Sequence, residues 1–135
     1  MTDTLDSATV PPAPSRPDVL HVCVDTTPGP HPTDSDDIFW WLPVIGPTAT
    51  VLAQVLARHT ASGGTSWNVA DLALRVGLSG SVARLWTTLN RLDQFKLIRF
   101  HATDVLTVRV ALPALSERHL ARLPADMVAA YRCRD

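Results

Sequence analysis

The sequence predicts one mainly helical α+β domain preceded by an extension, and three observations lead to this prediction. Two short segments with an apolar side, 68–77 and 79–95, follow one another across a Gly-Leu-Ser turn and have the spacing of helices. Two segments that alternate apolar and polar residues, 97–101 and 105–110, come next and predict a β-hairpin. An apolar fraction of 46% in 135 residues is enough for one hydrophobic core.

The first 37 residues differ in composition from the rest, since they hold seven of the eleven prolines. Residues 1–42 contain one basic and seven acidic residues, a net charge of −6, whereas residues 43–135 contain 11 basic and 6 acidic residues, a net charge of +5. We therefore predict an acidic, Pro-rich, disordered extension over residues 1–37 and a folded domain over residues 38–132. Within the extension, Val19–Val24 has the pattern of a strand that could pair with an edge of the domain.

An abrupt apolar block, Phe39-Trp-Trp-Leu42, opens the domain. It either closes over the core or forms a dimer surface, because aromatic residues are enriched at the centre of interfaces. A helix then begins at Pro47, where the missing N–H of proline leaves no bond unmade. The Ser66-Trp67 segment that follows is too short for more than a β-bridge.

The helix at 81–92 has an inward stripe formed by Val82, Leu85, Leu89 and Leu92. Its predicted outward residues include Arg84, Thr87, Thr88 and Arg91. Arginine can bond guanine with two hydrogen bonds, and a threonine methyl can contact the thymine methyl. The alternative is a solvated amphipathic helix with two ordinary arginines.

In the hairpin, Arg99 and Arg109 are predicted to face outward. They are expected either to contact phosphates or to act as edge charges that discourage aggregation of the sheet. Beyond the hairpin, two short helical runs are predicted at 115–123 and 125–131. In the second run Met127 and Tyr131 are spaced to pack inward or against a partner. The predicted dimer interface consists of Phe39, Trp40, Trp41, Met127 and Tyr131.

Catalytic, metal and cofactor sites find little support. The Gly77-Leu-Ser-Gly-Ser81 string has serine where a nucleophile elbow has its last glycine, and no strand precedes it. The five histidines have no HxH or HExxH spacing, and Cys23 and Cys133 form no ligand cluster. We therefore predict no enzymatic activity, no metal and no cofactor. Free thiols, no basic leader and no run of 18 apolar residues predict a cytoplasmic protein without membrane contact.

Residues 67–112 resemble the winged helix-turn-helix family of bacterial regulators. The resemblance lies in Val69-Ala-Asp-Leu-Ala-Leu-Arg-Val-Gly-Leu-Ser79 and in Leu89-Asn-Arg-Leu-Asp-Gln-Phe-Lys-Leu-Ile98. Residues 38–132 also resemble small, uncharacterised single-domain proteins of this type from high-G+C bacteria.

The resemblance implies a cytoplasmic transcriptional regulator, expected to be a homodimer, that binds double-stranded DNA with helix 81–92 in the major groove and hairpin 97–110 as the wing. The residues implicated are Ser79, Ser81, Arg84, Thr87, Thr88, Arg91, Arg99 and Arg109. The resemblance also implies that the Ser66-Trp67 bridge pairs with the hairpin. The alternative is a winged-helix module for protein–protein interaction or dimerisation without specific DNA binding, with a partner held by the Trp40/Trp41 block.

Overall fold

The computed structural model describes residues 16–134, which form a mixed α/β domain. The described strands are β1 Val19–Asp25, β2 His31–Pro32, β3 Thr65–Asn68, β4 Ile98–Ala102, β5 Val105–Arg109 and β6 Ala111–Leu112. The described α-helices are α1 Leu42–Ile45, α2 Pro47–His59, α3 Val69–Arg75, α4 Val82–Gln94, α5 Glu117–Leu120 and α6 Ala125–Cys133. A 3-10 helix, Asp36–Trp40, precedes α1.

A four-stranded sheet in the order β3-β1-β5-β4 holds the domain together. β1 lies inside this sheet, antiparallel to β3 and parallel to β5. Its side chains alternate between the two faces, so Leu20 and Val22 are fully buried while His21 and Cys23 are exposed. A central strand of this kind cannot be removed without opening the core.

The predicted disorder of residues 1–37 is therefore wrong for the described part of that segment, and residues 1–15 lie outside the described residues. Val19–Val24 does form a strand, as we considered, but between two others and not at an edge. The expected bridge between Ser66-Trp67 and the hairpin is also wrong, because β1 separates β3 from β5. The acidic, Pro-rich composition of residues 1–37 favoured disorder over a strand, because β1 has only two fully buried residues, Leu20 and Val22.

The loop after β1 is held against the end of the hairpin by close main-chain packing. β2 pairs with β6, and the Thr33 hydroxyl donates a hydrogen bond to the Arg109 carbonyl at 2.7 Å. A Cβ atom on Gly29 would lie 2.4 Å from the Leu112 carbonyl oxygen, so only glycine fits at this crossing. The folded domain therefore includes the chain from about residue 18 and does not begin at residue 38.

The helices form a layer in which α4 packs against both α2 and α3. α2 begins at Pro47 as predicted, and Gly77 has the left-handed conformation (φ 81°) expected after α3. Asn68 caps α3 by accepting a hydrogen bond from the Asp71 amide, and Ser81 caps α4 by accepting one from the Arg84 amide. These two caps fix where α3 and α4 start.

Most of the aromatic residues assigned to a dimer interface belong to the core. Trp41 and Tyr131 are buried, and the Trp41 indole N–H donates to the Pro113 carbonyl at 3.0 Å. Trp40 packs edge-on against Tyr131, and Met127 is partly buried against the same cluster. Only Phe39 is exposed, at 55%. The assignment of Trp41 and Tyr131 to a dimer surface is therefore wrong, because both close over the core.

A buried histidine connects the loop after β1 to α6. His31 Nε2 lies 2.8 Å from the Tyr131 hydroxyl, and His31 Nδ1 lies 3.4 Å from an Asp37 carboxylate oxygen. The Tyr131 oxygen also accepts a hydrogen bond from the Leu115 amide. These contacts fit a neutral imidazole that donates from Nδ1 to Asp37 and accepts the Tyr131 proton at Nε2. Burial lowers the pKa of His31 below 6.5, opposed by Asp37.

We expect the free energy of unfolding to decrease as the pH falls from 7.5 to 5. Burial also lowers the pKa of His119 below 6.5. A histidine whose pKa is lower in the folded chain binds more protons when unfolded, so acid favours unfolding below about pH 6.5. Urea titrations followed by tryptophan fluorescence measure the effect. The Asp25 carboxylate, whose pKa is lowered from 3.8 mainly by the Thr27 hydroxyl, acts only at lower pH.

As a control, the free energy of unfolding of each variant is compared between the two pH values. Its absolute stability then does not enter the comparison. Replacing His31 or His119 with glutamine should reduce the difference, because the substituted side chain cannot be protonated in this range. Equal stability of the unmodified chain at pH 7.5 and pH 5 would contradict the expectation.

Candidate nucleic-acid interface

Helix α4 turns one side to solvent along its whole length. Packing against α2, α3 and the sheet buries Leu85, Trp86, Thr88, Leu89 and Leu92. The side chains left exposed on the helix are Ala83, Arg84, Thr87, Asn90, Arg91, Asp93 and Gln94. We call this set the exposed face of α4. Its centre, at Thr87, Asn90 and Gln94, is polar but uncharged.

The predicted pair of threonines is divided by the helix. Thr88 is buried, and its hydroxyl donates a hydrogen bond to the Arg84 carbonyl at 2.9 Å. Its assignment to a DNA-facing surface is therefore wrong, because it lies on the side of α4 that faces the core. Thr87 is exposed, and its hydroxyl donates to the Ala83 carbonyl at 3.1 Å. The Thr87 methyl and the remaining lone pairs of its oxygen are available to a ligand.

The two arginines of α4 have different environments. The guanidinium of Arg84 is exposed and makes no hydrogen bond to any described residue. Arg91 instead donates to the carbonyls of Ile45 at 2.7 Å and Val44 at 3.2 Å. These are the last carbonyls of α1, which lack partners within that helix, so Arg91 completes its C-terminus. The assignment of Arg91 to DNA contact conflicts with this structural role.

The hairpin arginines, Arg99 and Arg109, line a depression together with Lys96 and with Asp93 of the exposed face of α4. Phe100 stacks on Trp86 with ring centroids 6.0 Å apart, so this side of β4 faces α4. Because side chains alternate along a strand, Arg99 points to the opposite side. On β5, Arg109 donates to the carbonyls of Ala111 and Pro28 and is held in place. Asp25 and Asp93 line the same depression, so the predicted set of arginines does not form a purely cationic surface.

The two serines of the predicted set lie in the turn between α3 and α4. Ser79 is exposed and has a positive φ of 53°, which is uncommon for a residue with a side chain. Gly80 follows with a φ of 76°. The turn thereby redirects the chain so that Ser81 caps α4. The Ser81 hydroxyl is committed to this cap, whereas the Ser79 hydroxyl makes no hydrogen bond to a described residue.

Sequence reasoning gave too little weight to three residues near this face. Asn90 and Gln94 continue the row from Thr87 at intervals of three and four residues, so the helical repeat was the signal that could have found both. Lys96 follows the last turn of α4 and is exposed, and its ammonium group makes no hydrogen bond or ion pair with a described residue. Its left-handed conformation (φ 63°) has no strong sequence signal.

Comparison with known proteins does not assign this site: no family model, curated protein or solved structure matches the chain. Over residues 16–134 there is no group of three or more His, Cys, Asp or Glu side chains placed to hold a metal ion. No helix in this part of the chain combines the length and apolar character needed to cross a bilayer.

Proposed function

We propose that this chain is a DNA-binding transcription regulator of the winged helix-turn-helix type. The observation that carries the proposal is the exposed face of α4, a helix supported by α2 and α3 whose outward side offers hydrogen-bonding groups. The order α2, β3, α3, α4 and the β4–β5 hairpin supports the proposal, because a helix, a turn, a second helix and a hairpin are expected in this order in the family. The insertion of β1 between β3 and the hairpin is an addition to that pattern.

The proposed base contacts come from the centre of the exposed face. Asparagine and glutamine bond adenine through two hydrogen bonds in the major groove, so Asn90 and Gln94 suit this role. The Thr87 methyl suits contact with a thymine methyl. Arg84, in the first turn of α4, and Lys96, beyond its last turn, would bind phosphates on either side of the groove. Arg91 and Arg109 have no part in this arrangement.

The experiment that tests the proposal is selection of bound duplexes from a randomised 20-base-pair library with the full chain. We expect an enriched half-site that contains adenines contacted by Asn90 and Gln94 and a thymine contacted by Thr87. An Asn90→Ala chain should select a motif that has lost its preference at one position while keeping the others. Selection that enriches no motif would overturn the base-reading part of the proposal.

The dependence of affinity on salt should be shallow. Two phosphate contacts predict a slope of about −2 for log Kobs against log salt concentration, whereas the four arginines first considered predict about −4. Fluorescence anisotropy with a labelled 30-base-pair duplex measures the slope. Arg84→Gln should reduce its magnitude by about 0.9.

Arg58→Gln is the matched control for Arg84→Gln, because it removes the same charge from an exposed arginine on α2. Arg58 pairs with Asp34 at 2.7 Å, and both side chains are about half exposed, so breaking the pair should change stability little. A slope near −4, or an equal change in both variants, would contradict the assignment of Arg84 and Lys96 as the phosphate contacts.

A second candidate function is a protein-interaction module, and two observations favour it. Phe39 is 55% exposed beside the partly buried Trp40, and described residues carry a modest surplus of 12 basic over 10 acidic residues. The same anisotropy titration separates the candidates. Absence of duplex binding at 50 mM salt, together with self-association that Phe39→Ser removes, would favour the interaction module.

A further inference from the structure

An open groove separates α4 from the end of the β4–β5 hairpin. Its volume is about 520 Å³, within the range of small-molecule sites. The residues that line it are Arg16, Pro17, Trp86, Asn90, Phe100, His101, Ala102 and Thr103. Among the described residues, Ala102 and Thr103 at the end of the hairpin are exposed where they line the groove.

The floor of the groove is aromatic. Trp86 and Phe100 stack with their rings inclined by 23°, and the Phe100 ring is only partly buried. The Arg16 guanidinium lies 5.9 Å from the centre of the Trp86 ring, a cation–π contact. A planar aromatic ring entering the groove would therefore find apolar and π surface to stack against.

The rim of the groove supplies polar groups and no negative charge. None of its eight lining residues is acidic, and Arg16 is permanently cationic and exposed. The Asn90 carboxamide and Thr103 hydroxyl add hydrogen-bonding groups. His101 Nε2 is 3.1 Å from the Thr107 hydroxyl, which leaves its Nδ1 atom without a bond to a described residue. Arginine pairs with a carboxylate through two parallel hydrogen bonds, so the charge favours an anion.

We propose that this groove binds a small planar aromatic carboxylate, with the ring against Phe100 and the carboxylate paired to Arg16. The site rests on its own lining residues and not on the function proposed above. Its consequence for DNA does rest on that function: Asn90 belongs both to the groove and to the exposed face of α4. A ligand bonded to Asn90 would therefore compete with adenine and weaken DNA binding.

The test uses 2-naphthoate as the probe and the full chain labelled with ¹⁵N. We expect saturable chemical-shift changes at the Asn90 side-chain amide and at the backbone amides of 101–103, with a Kd of about 1 mM or tighter for a ligand of this size. Arg16→Gln should weaken binding at least fivefold. Ala102→Leu places a larger side chain in the groove at an exposed position and should also weaken it.

Two probes and one variant serve as controls. Cyclohexanecarboxylate keeps the charge without the aromatic ring, and 2-naphthamide keeps the ring without the charge; both should bind at least fivefold more weakly. Arg118→Gln removes an exposed arginine on α5 outside the groove and should leave the Kd unchanged. Equal binding of all three compounds, shifts outside the groove, or no shifts at 5 mM would overturn the proposal.

Duplex titrations with and without 2-naphthoate separate this inference from the proposed function. If the chain binds no DNA but the groove shifts appear, the site stands and the DNA role fails. If duplex binding is present and 2-naphthoate produces no groove shifts, the reverse holds. Weakening of duplex binding by 2-naphthoate in the unmodified chain, and not in Arg16→Gln, would support the competition at Asn90.

Discussion

Val22→Asp is expected to unfold the domain, with a loss of about 4 kcal/mol or more in the free energy of unfolding. Val22 is fully buried on β1, where it lies opposite Thr65 of β3 on one side and Leu106 of β5 on the other. A carboxylate at this position would be removed from water with no cationic partner, and the methyl groups that fill the core would be lost. Far-UV circular dichroism and urea titration measure the result.

Val19→Asp is the matched control, because it introduces the same change on the same strand. Val19 is 39% exposed, so its carboxylate stays in water. We expect a loss below about 1 kcal/mol. Comparable stability of Val22→Asp and the unmodified chain would mean that β1 is not an interior strand of the folded protein in solution.

Thr87→Glu is expected to abolish duplex binding while the fold is kept, with affinity reduced at least 100-fold. Thr87 lies at the centre of the exposed face of α4, so a glutamate at this position places no charge in the core. In the proposed complex a carboxylate at this position would face the edges of the bases between two phosphate backbones. Juxtaposed like charges at an interface cost several kcal/mol. Anisotropy at 50 mM salt measures the affinity.

Ala129→Glu on α6 is the control for the added charge, since Ala129 is also an exposed helical residue. Its duplex affinity should decrease no more than a few-fold, because the added charge lies outside the proposed interface. Retained duplex affinity in Thr87→Glu would show that α4 does not enter the major groove of DNA, whatever other surface of the protein binds the duplex.

Local signals in the sequence were sufficient for the helical half of the domain. Pro47 marked the start of α2, Asn68 marked the cap of α3 and Gly77 its end, while the cap of α4 was left open between Ser79 and Ser81. The alternation around Phe100 and Leu106 indicated the hairpin, whose two strands are close in sequence. Each of these features depends on contacts within a few residues, so the residues themselves carry the information.

The sequence did not predict which groups the polar side chains of α4 contact, or whether they are buried. The helical repeat placed Arg91 near the exposed side of α4, but its guanidinium reaches back to the end of α1, 46 residues earlier in the chain. Thr88 lies at the boundary of the apolar stripe, and only the packing of α4 against its neighbours determines that it is buried. Periodicity gives a direction from the helix axis and does not show what lies in that direction.

The sequence by itself determined α2, α3, α4 and the hairpin, because propensity, capping and alternation act over short distances. Only the tertiary structure decided that β1 completes the sheet, that Trp41 and Tyr131 close the core, and that the arginines separate into different environments. The physical reason is that a strand or a long side chain can satisfy its hydrogen bonds with many partners. The partner is chosen by the folded chain as a whole, through contacts between residues far apart in sequence.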